Sequence, residues 1–194
     1  MIRLETLHGA DLSEAIDDIA RLRIAVFRDW PYLYDGDLDY ERHYPQSYLI
    51  SERAIVIGAY DGDWLVGAAT ATPLADHASD FQQAFEGHQI NIQSTFYCGE
   101  SVLLPRYRGR GTGRHFFDKR EEHARSLGYQ NICFCAVIRP DDHPLRPSEY
   151  RPLDGFWQKR GYARLPGVVA HFKWKDVDQS TETTKALQFW QRTL

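Results

Sequence analysis

The sequence predicts an α/β fold, a mixed central sheet with helices on both faces. Three observations predict it. Residues 54–60 and 64–70 are apolar runs on either side of Asp61-Gly62-Asp63, the signature of a β-hairpin. Residues 95–104 form a strand-like run that stops at Pro105 and passes through a glycine-rich stretch into residues 115–127, where apolar residues recur at helical spacing. Residues 131–138, with Ile132, Cys133, Phe134, Cys135, Ala136, Val137 and Ile138 in unbroken succession, fit a strand buried on both faces and parallel to its predecessor across that helix.

Taken in order, residues 2–7 read as a first strand. Asp11 or Ser13 then caps a helix whose Ile16, Ile19, Leu22 and Val26 share one face, and which stops before Pro31. Residues 30–41 alternate aromatics (Trp30, Tyr32, Tyr34, Tyr40) with acids (Asp35, Asp37, Asp39, Glu41) and are punctuated by Pro31 and Gly36. They form a loop leading to a second short helix, and loops of this kind face ligands. After the hairpin, residues 73–92 are a polar, weakly helical insertion. The helix over 115–127 is closed by Gly128, and the strand over 131–138 gives way to a proline-rich connection, 139–152. Residues 153–162 read as a short helix stopped by Gly161, 168–173 as a final strand, and 183–192 as a terminal helix docked through Leu187, Trp190 and Phe189. There is no internal repeat, and residues 1–194 read as a single domain.

Composition bounds the function. A chain of 194 residues that is 43% hydrophobic can bury a sizeable core, which excludes disorder. A formal charge of -4 excludes bulk affinity for nucleic acid, so any basic cluster is a local pocket for a small anion. Cys98, Cys133 and Cys135 are odd in number and lack CxxC spacing, which argues against a disulfide framework and a zinc site. With no apolar leader and no apolar run near the roughly 20 residues that span a bilayer, the expectation is a soluble cytoplasmic protein without metal, membrane or nucleic-acid partners.

The richest stretch is Arg108-Gly109-Arg110-Gly111-Thr112-Gly113-Arg114. Glycines at alternating positions let the backbone turn tightly and bring bare N–H groups to a ligand, and the helix that follows presents its positive N-terminus there. A dinucleotide fingerprint would need glycine where Arg114 stands, and a P-loop would need Gly-Lys-Ser/Thr, which is absent.

This stretch resembles the signature of the GNAT superfamily of acyl-CoA-dependent N-acetyltransferases: a strand ending in Pro, then Arg or Gln, two residues, Gly, one residue, and Gly or Ala, met by Arg108, Gly111 and Gly113. A looser second signature is met by Phe156-Trp157 and Gly161-Tyr162, and the element order agrees over most of the chain. The resemblance implies a GNAT-type fold with the sheet splayed beside the cofactor strand, and acetyl-CoA as cosubstrate. Main-chain groups of Val102, Leu103 and Leu104 would pair with its pantetheine arm. The N–H groups of Gly109, Arg110, Gly111, Thr112, Gly113 and Arg114 would cradle its pyrophosphate, with charge from Arg108, Arg110 and Arg114. It further implies acetyl transfer to an amine of a small molecule or peptide, and accords with a homodimer.

Attack on a thioester needs a neutral amine and a polarised carbonyl. The resemblance places a backbone N–H near Leu103 at the carbonyl and a Glu on the same strand as base. Glu100 is the only carboxylate there. In an unbroken strand, alternation turns Glu100 away from the acceptor; a bulge would change its phase. Trp157 stands where many members carry a Tyr acid, and an indole cannot replace it, which leaves Tyr150, Tyr162 or unaided departure of the thiolate. Asp141, Asp142 and His143 are further candidates for base or acceptor binding. Cys133 and Cys135 share a strand face and read as core, so transfer is expected to be direct. For the acceptor, Tyr32, Tyr34 and Asp35 suit a cationic amine, whereas Arg139, Arg146 and Arg151 suit an acidic one. The competing classes are a non-catalytic acyl-CoA binding module and a nucleotide-phosphate binder.

Overall fold

The computed structural model describes residues 2–77 and 79–194, with backbone alone over 44–47. Seven strands form one mixed sheet: β1 (Arg3–Leu7), β2 (Ile55–Asp61), β3 (Trp64–Pro73), β4 (Thr95–Leu103), β5 (Asn131–Val137), β6 (Ala163–Lys175) and β7 (Glu182–Thr193), in the order β1-β2-β3-β4-β5-β7-β6. β2 and β3 make the expected hairpin, turning at Gly62. One face is covered by α1 (Gly9–Phe27) and α2 (Leu38–Ile50), and on it the insertion contributes only the short α3 (Gln82–Phe85) and flanking 3-10 turns. The other face carries α4 (Thr112–Ser126) and α5 (Asp154–Lys159).

Periodicity explains the layering. Leu12, Ala15, Ile19 and Leu22 of α1 pack on Val56, Ala68 and Val102, while Phe116, Phe117 and Ala124 of α4 pack on Phe96, Cys98, Ile132, Phe134 and Trp190 from the opposite side. α1 starts at Gly9, earlier than Asp11 or Ser13 would place it, and His8 stands at its N-cap without a side-chain bond. Ile16 and Val26 are only half-buried.

The C-terminal segment corrects one expectation. Residues 183–192 are strand, not helix: β7 pairs antiparallel with β5 on one side and with β6 on the other. Leu187, Phe189 and Trp190 are indeed buried, but Leu187 and Phe189 face the insertion while Trp190 faces α5. That alternation is the period of two of a strand, and the run Ala186-Leu187-Gln188-Phe189-Trp190 hides it because two adjacent aromatics go to opposite faces.

The central crossing places the site. β4 and β5 are parallel but pair only over Thr95–Tyr97 with Asn131–Cys133. Beyond those three pairs the strands part, so the rest of β4 has a strand partner on the β3 side alone. The sheet is therefore splayed at β4.

Candidate active site

The splay frees specific backbone groups. Leu104 N–H donates to Val66 O at 3.0 Å, so its side of the ladder belongs to β3. Strand alternation assigns Val102 to the same side and turns the N–H and C=O of Ser101 and Leu103 toward the gap. Of Val102, Leu103 and Leu104, only Leu103 presents its backbone to the opening. Its carbonyl accepts from Arg108 Nε at 3.0 Å, which draws the glycine loop back against the strand.

That loop joins β4 to α4. Gly109 and Gly111 hold φ of 75° and 89°, and Gly111 is the left-handed N-cap of α4. A side chain there would be strained, which explains glycine at both. Gly113 has no such constraint, and a Cβ on it would meet nothing within 4 Å, so its face is open space. The first-turn N–H groups of a helix lack intrahelical acceptors, and here they open onto that space between exposed Arg108, Arg110 and Arg114. These residues fit an anionic pyrophosphate. Arg110 also lies over the Tyr107 ring, whose hydroxyl donates to Asp61 at 2.9 Å, tethering the turn after β4 to the hairpin.

Glu100 occupies a bulge. Ala71 pairs with Cys98 and Ala69 with Ser101, so Gly99 and Glu100 together oppose the single residue Thr70. The extra residue switches the phase of β4: Phe96 and Cys98 face α4, whereas Glu100 and Val102 face α1 and α2. Glu100 is buried there. Its Oε2 lies 3.0 Å from both Arg23 Nη1 and Thr70 Oγ1, while Oε1 is buried without a hydrogen-bond partner. Arg23 also bonds Glu41 at 2.5 Å, and Thr70 Oγ1 is 3.0 Å from the Tyr48 hydroxyl. One carboxylate oxygen is thus held from α1 and β3 and the other is left over.

Tyr32 stands opposite. Desolvation pushes its phenol well above the ordinary range, and Cys135, Arg23, Glu100 and Tyr150 all lie within electrostatic reach of it. Tyr150 packs edge-on against Trp30, whose ring also meets His143. Burial raises Tyr150 too, so both phenols keep their protons at neutral pH. Trp30, His143 and Tyr150 thus form an aromatic cluster, with Tyr32 in electrostatic reach of both Tyr150 and Glu100.

The loop bearing Tyr32 is anchored to the far end of the sheet. Asp35 N–H donates to Lys175 O at 2.9 Å and Val177 N–H to Leu33 O at 2.8 Å. Arg139 donates to Pro31 O at 2.8 Å and to Tyr32 O, and forks onto both oxygens of Asp176 at 2.7 and 2.9 Å. Arg139 is therefore fully engaged, and Arg146 is bonded to Asp141, which removes both from recognition of an acidic acceptor. The acids of the loop are engaged as well: Asp35 with Arg28 and Lys175, Asp37 as cap of α2, Asp39 with Arg42, and Glu41 with Arg23. Burial and Glu41 push the Tyr34 phenol up, so it too points inward. Of Tyr32, Tyr34 and Asp35, only Tyr32 lies within electrostatic reach of Glu100, its ring packed on Phe27 and Trp174.

Other candidates are packing groups. Trp157 lies against Phe134 and Trp190. Tyr162 is buried and donates to Glu121 at 3.0 Å, beside the Arg160 and Arg192 pairs of that carboxylate. Burial raises all three thiols, Cys135 to about 11, and Cys135 lies 3.5 Å from the Tyr97 hydroxyl. Among the described residues no cluster of three or more potential metal ligands occurs, and no helix is long and apolar enough to cross a membrane.

Sequence reasoning missed Arg23, Tyr48, Thr70 and Arg120. Two had a signal: Arg23 adjoins the apolar stripe of α1, and Arg120 lies within that of α4, where a charge marks a buried partner.

Comparison with known proteins agrees with this geometry. A sequence model described as the acetyltransferase (GNAT) family matches residues 19–147. No curated protein matches the chain in sequence. Among solved structures, an acetyltransferase of GNAT family from Streptococcus pneumoniae is 10% identical with a TM-score of 0.61, covering 100% of both chains. A ribosomal-protein-alanine N-acetyltransferase from Brucella melitensis is 12% identical with a TM-score of 0.60, covering 100% of this chain and 99% of that one. The PaiA N-acetyltransferase from Thermoplasma acidophilum, in complex with coenzyme A, is 10% identical with a TM-score of 0.56, again covering 100% and 99%.

Proposed function

The chain belongs to the GNAT family of acetyltransferases, and from that premise we propose that it moves an acetyl group from acetyl-CoA directly to a primary amine of a small molecule or peptide, with Glu100 as general base. Bound acetyl-CoA supplies the thioester whose acetyl group is transferred. N–H groups of the loop and first turn of α4, from Gly109 to Arg114, hold its pyrophosphate with Arg110 and Arg114, and the backbone of Leu103 and Ser101 pairs with its arm in the gap beside β5. The Leu103 N–H, fixed in a strand that cannot turn, stabilises negative charge on the carbonyl oxygen.

The observation that carries the reading is the bulge at Gly99-Glu100. It turns the buried Glu100 carboxylate to the face covered by α1 and α2, with Oε2 held by Arg23 and Thr70 and Oε1 unpartnered, which supports a base there. An unsatisfied buried carboxylate oxygen is costly, and an ammonium bound there satisfies it and loses its proton to it.

The acceptor half favours a cationic amine. Aromatic side chains (Trp30, Tyr32, Tyr150) gather near it, Tyr32 within electrostatic reach of Glu100, while Arg139 and Arg146 are engaged elsewhere. Tyr32 contacts the acceptor, and Tyr34 and Asp35 hold the loop that presents it.

The test is an acceptor screen with isotopically labelled acetyl-CoA, read by mass spectrometry, on wild type and Glu100→Gln. For the acceptor found, Glu100→Gln is expected to lower kcat by about 10²-fold, most at low pH where the amine arrives protonated, and to keep acetyl-CoA affinity within about threefold. An unchanged profile removes Glu100 from the role. Retention of acetyl-CoA with no turnover on any amine would replace the transferase reading with a binding module.

A further inference from the structure

Arg120 lies in α4 with 1% of its surface exposed, in a helix whose other buried residues are Thr112, Phe116, Phe117, Glu121 and Ala124. A guanidinium so deep in a core calls for a partner. Among the described residues it forms no salt bridge. It takes backbone carbonyls instead: Nε donates to Phe116 O at 3.2 Å, and Nη1 to Glu100 O at 3.0 Å and Thr70 O at 3.3 Å. The Phe117 ring lies 4.6 Å below it, and Nη2 is buried with no acceptor.

The two strand carbonyls chosen are those of the bulge: Glu100 is its extra residue and Thr70 the single residue opposing it. Bulged backbone lacks a regular ladder, and a buried carbonyl must find a donor elsewhere. A slip of β4 into unbroken alternation would restore the ladder and turn the Glu100 side chain to the α4 face, beside Cys98. Arg120 opposes that slip from behind the sheet. It satisfies both carbonyls in their displaced positions, and occupies the space a reversed Glu100 would enter.

We infer that Arg120 is a positioning residue for acetyl transfer, holding the β4 bulge in the phase that presents Glu100 to the acceptor. The inference rests on Glu100 being the base. It also ties the two halves of the reaction together, because α4 carries the glycine loop at its N-terminus and the clamp on the bulge two turns later.

A double-mutant cycle tests it, with Arg120→Gln, Glu100→Gln and both, in the full chain with acetyl-CoA and the screened amine. Arg120→Gln keeps one donor but loses the fork. It is expected to lower kcat by about 30-fold or more, to leave the KM for acetyl-CoA within about threefold, and to lose most activity at low pH, as Glu100→Gln does. The double variant should be no slower than Glu100→Gln alone, since Arg120 acts only through that side chain. Effects that multiply in the double variant overturn the inference and leave the base reading standing. A fully active Glu100→Gln overturns the base reading itself. If Arg120→Gln does not fold, Arg120→Lys takes its place in the same cycle, with the same non-additivity expected and the same multiplication decisive against it.

Discussion

Asp176→Asn probes how the loop bearing Tyr32 is held. Asp176 is fully buried and receives both Arg139 nitrogens, at 2.7 and 2.9 Å, and Lys185 Nζ at 3.2 Å. Neutralising it leaves two buried cations without their counter-charge, and breaking a buried pair from one side costs about 3–5 kcal/mol. For a chain of this size each kcal/mol is worth about 2–4 °C, so the melting temperature should fall by about 6–20 °C. Burial alone would raise the Asp176 carboxyl, but its bonds from Arg139 and Lys185 outweigh that and hold it below the usual carboxylate range. Its folded value is thus below its unfolded one, near 3.9. The stabilisation is complete above that unfolded value and is lost as pH falls through the folded value. Urea titrations of wild type and variant should therefore differ by a constant amount above about pH 5 and converge as pH drops below about 4. Because Arg139 also holds the carbonyls of Pro31 and Tyr32, the acceptor KM should rise by about tenfold with acetyl-CoA affinity kept. A loss under about 1 kcal/mol, or a gap that does not narrow in acid, would refute the account, since either means the pair is not the anchor.

Three further outcomes are expected. Gly113→Ala should leave stability unchanged or raise it by up to about 1 kcal/mol, because φ is unconstrained there; its Cβ enters the open face of the cradle, so calorimetry should show acetyl-CoA binding weakened about tenfold, and unaltered binding would displace the pyrophosphate from that face. Cys135→Ser should keep most activity, because burial pushes that thiol up to about 11 and a thiolate is scarce at neutral pH; trapping of an acetylated Cys135 by mass spectrometry would instead show a covalent path. Tyr162→Phe should lose about 1–3 kcal/mol of stability by stripping Glu121 of a buried donor while kcat per folded molecule stays constant; a large fall in kcat would make Tyr162 the acid.

Much of the donor half was legible because glycine spacing and strand run-out are local signals. Arg108 to Arg114 is a contiguous loop whose positive φ values need glycine, and β4, α4 and β5 follow it in chain order. The surroundings of Glu100 were not legible, because they are distant in sequence: Arg23, Thr70 and Tyr48 come together there only through the fold. Composition marks residues 30–41 as ligand-facing, yet it cannot tell that Asp35 turns to Lys175, Glu41 to Arg23 and the Tyr32 ring to Phe27 and Trp174. The phase of Glu100 depended on one extra residue in β4, which alternation alone does not reveal. The terminal strand was misread for a related reason: Phe189 and Trp190 are adjacent, and helical spacing of Leu187 and Trp190 imitates an amphipathic face until β5 and β6 are seen to need a shared neighbour.

The three residue pairs joining β4 to β5 make the sheet two bodies on a short seam, four strands on one side and three on the other. A donor lying in the gap beyond Tyr97 and Cys133 would bond to both bodies and act as a splint. Its affinity is then linked to their relative opening, so anything that pries the β5-β7-β6 half away, even far from the loop of glycines, should speed the release of product. Amide hydrogen exchange along β5 would slow on binding before any residue of the aromatic cluster is touched.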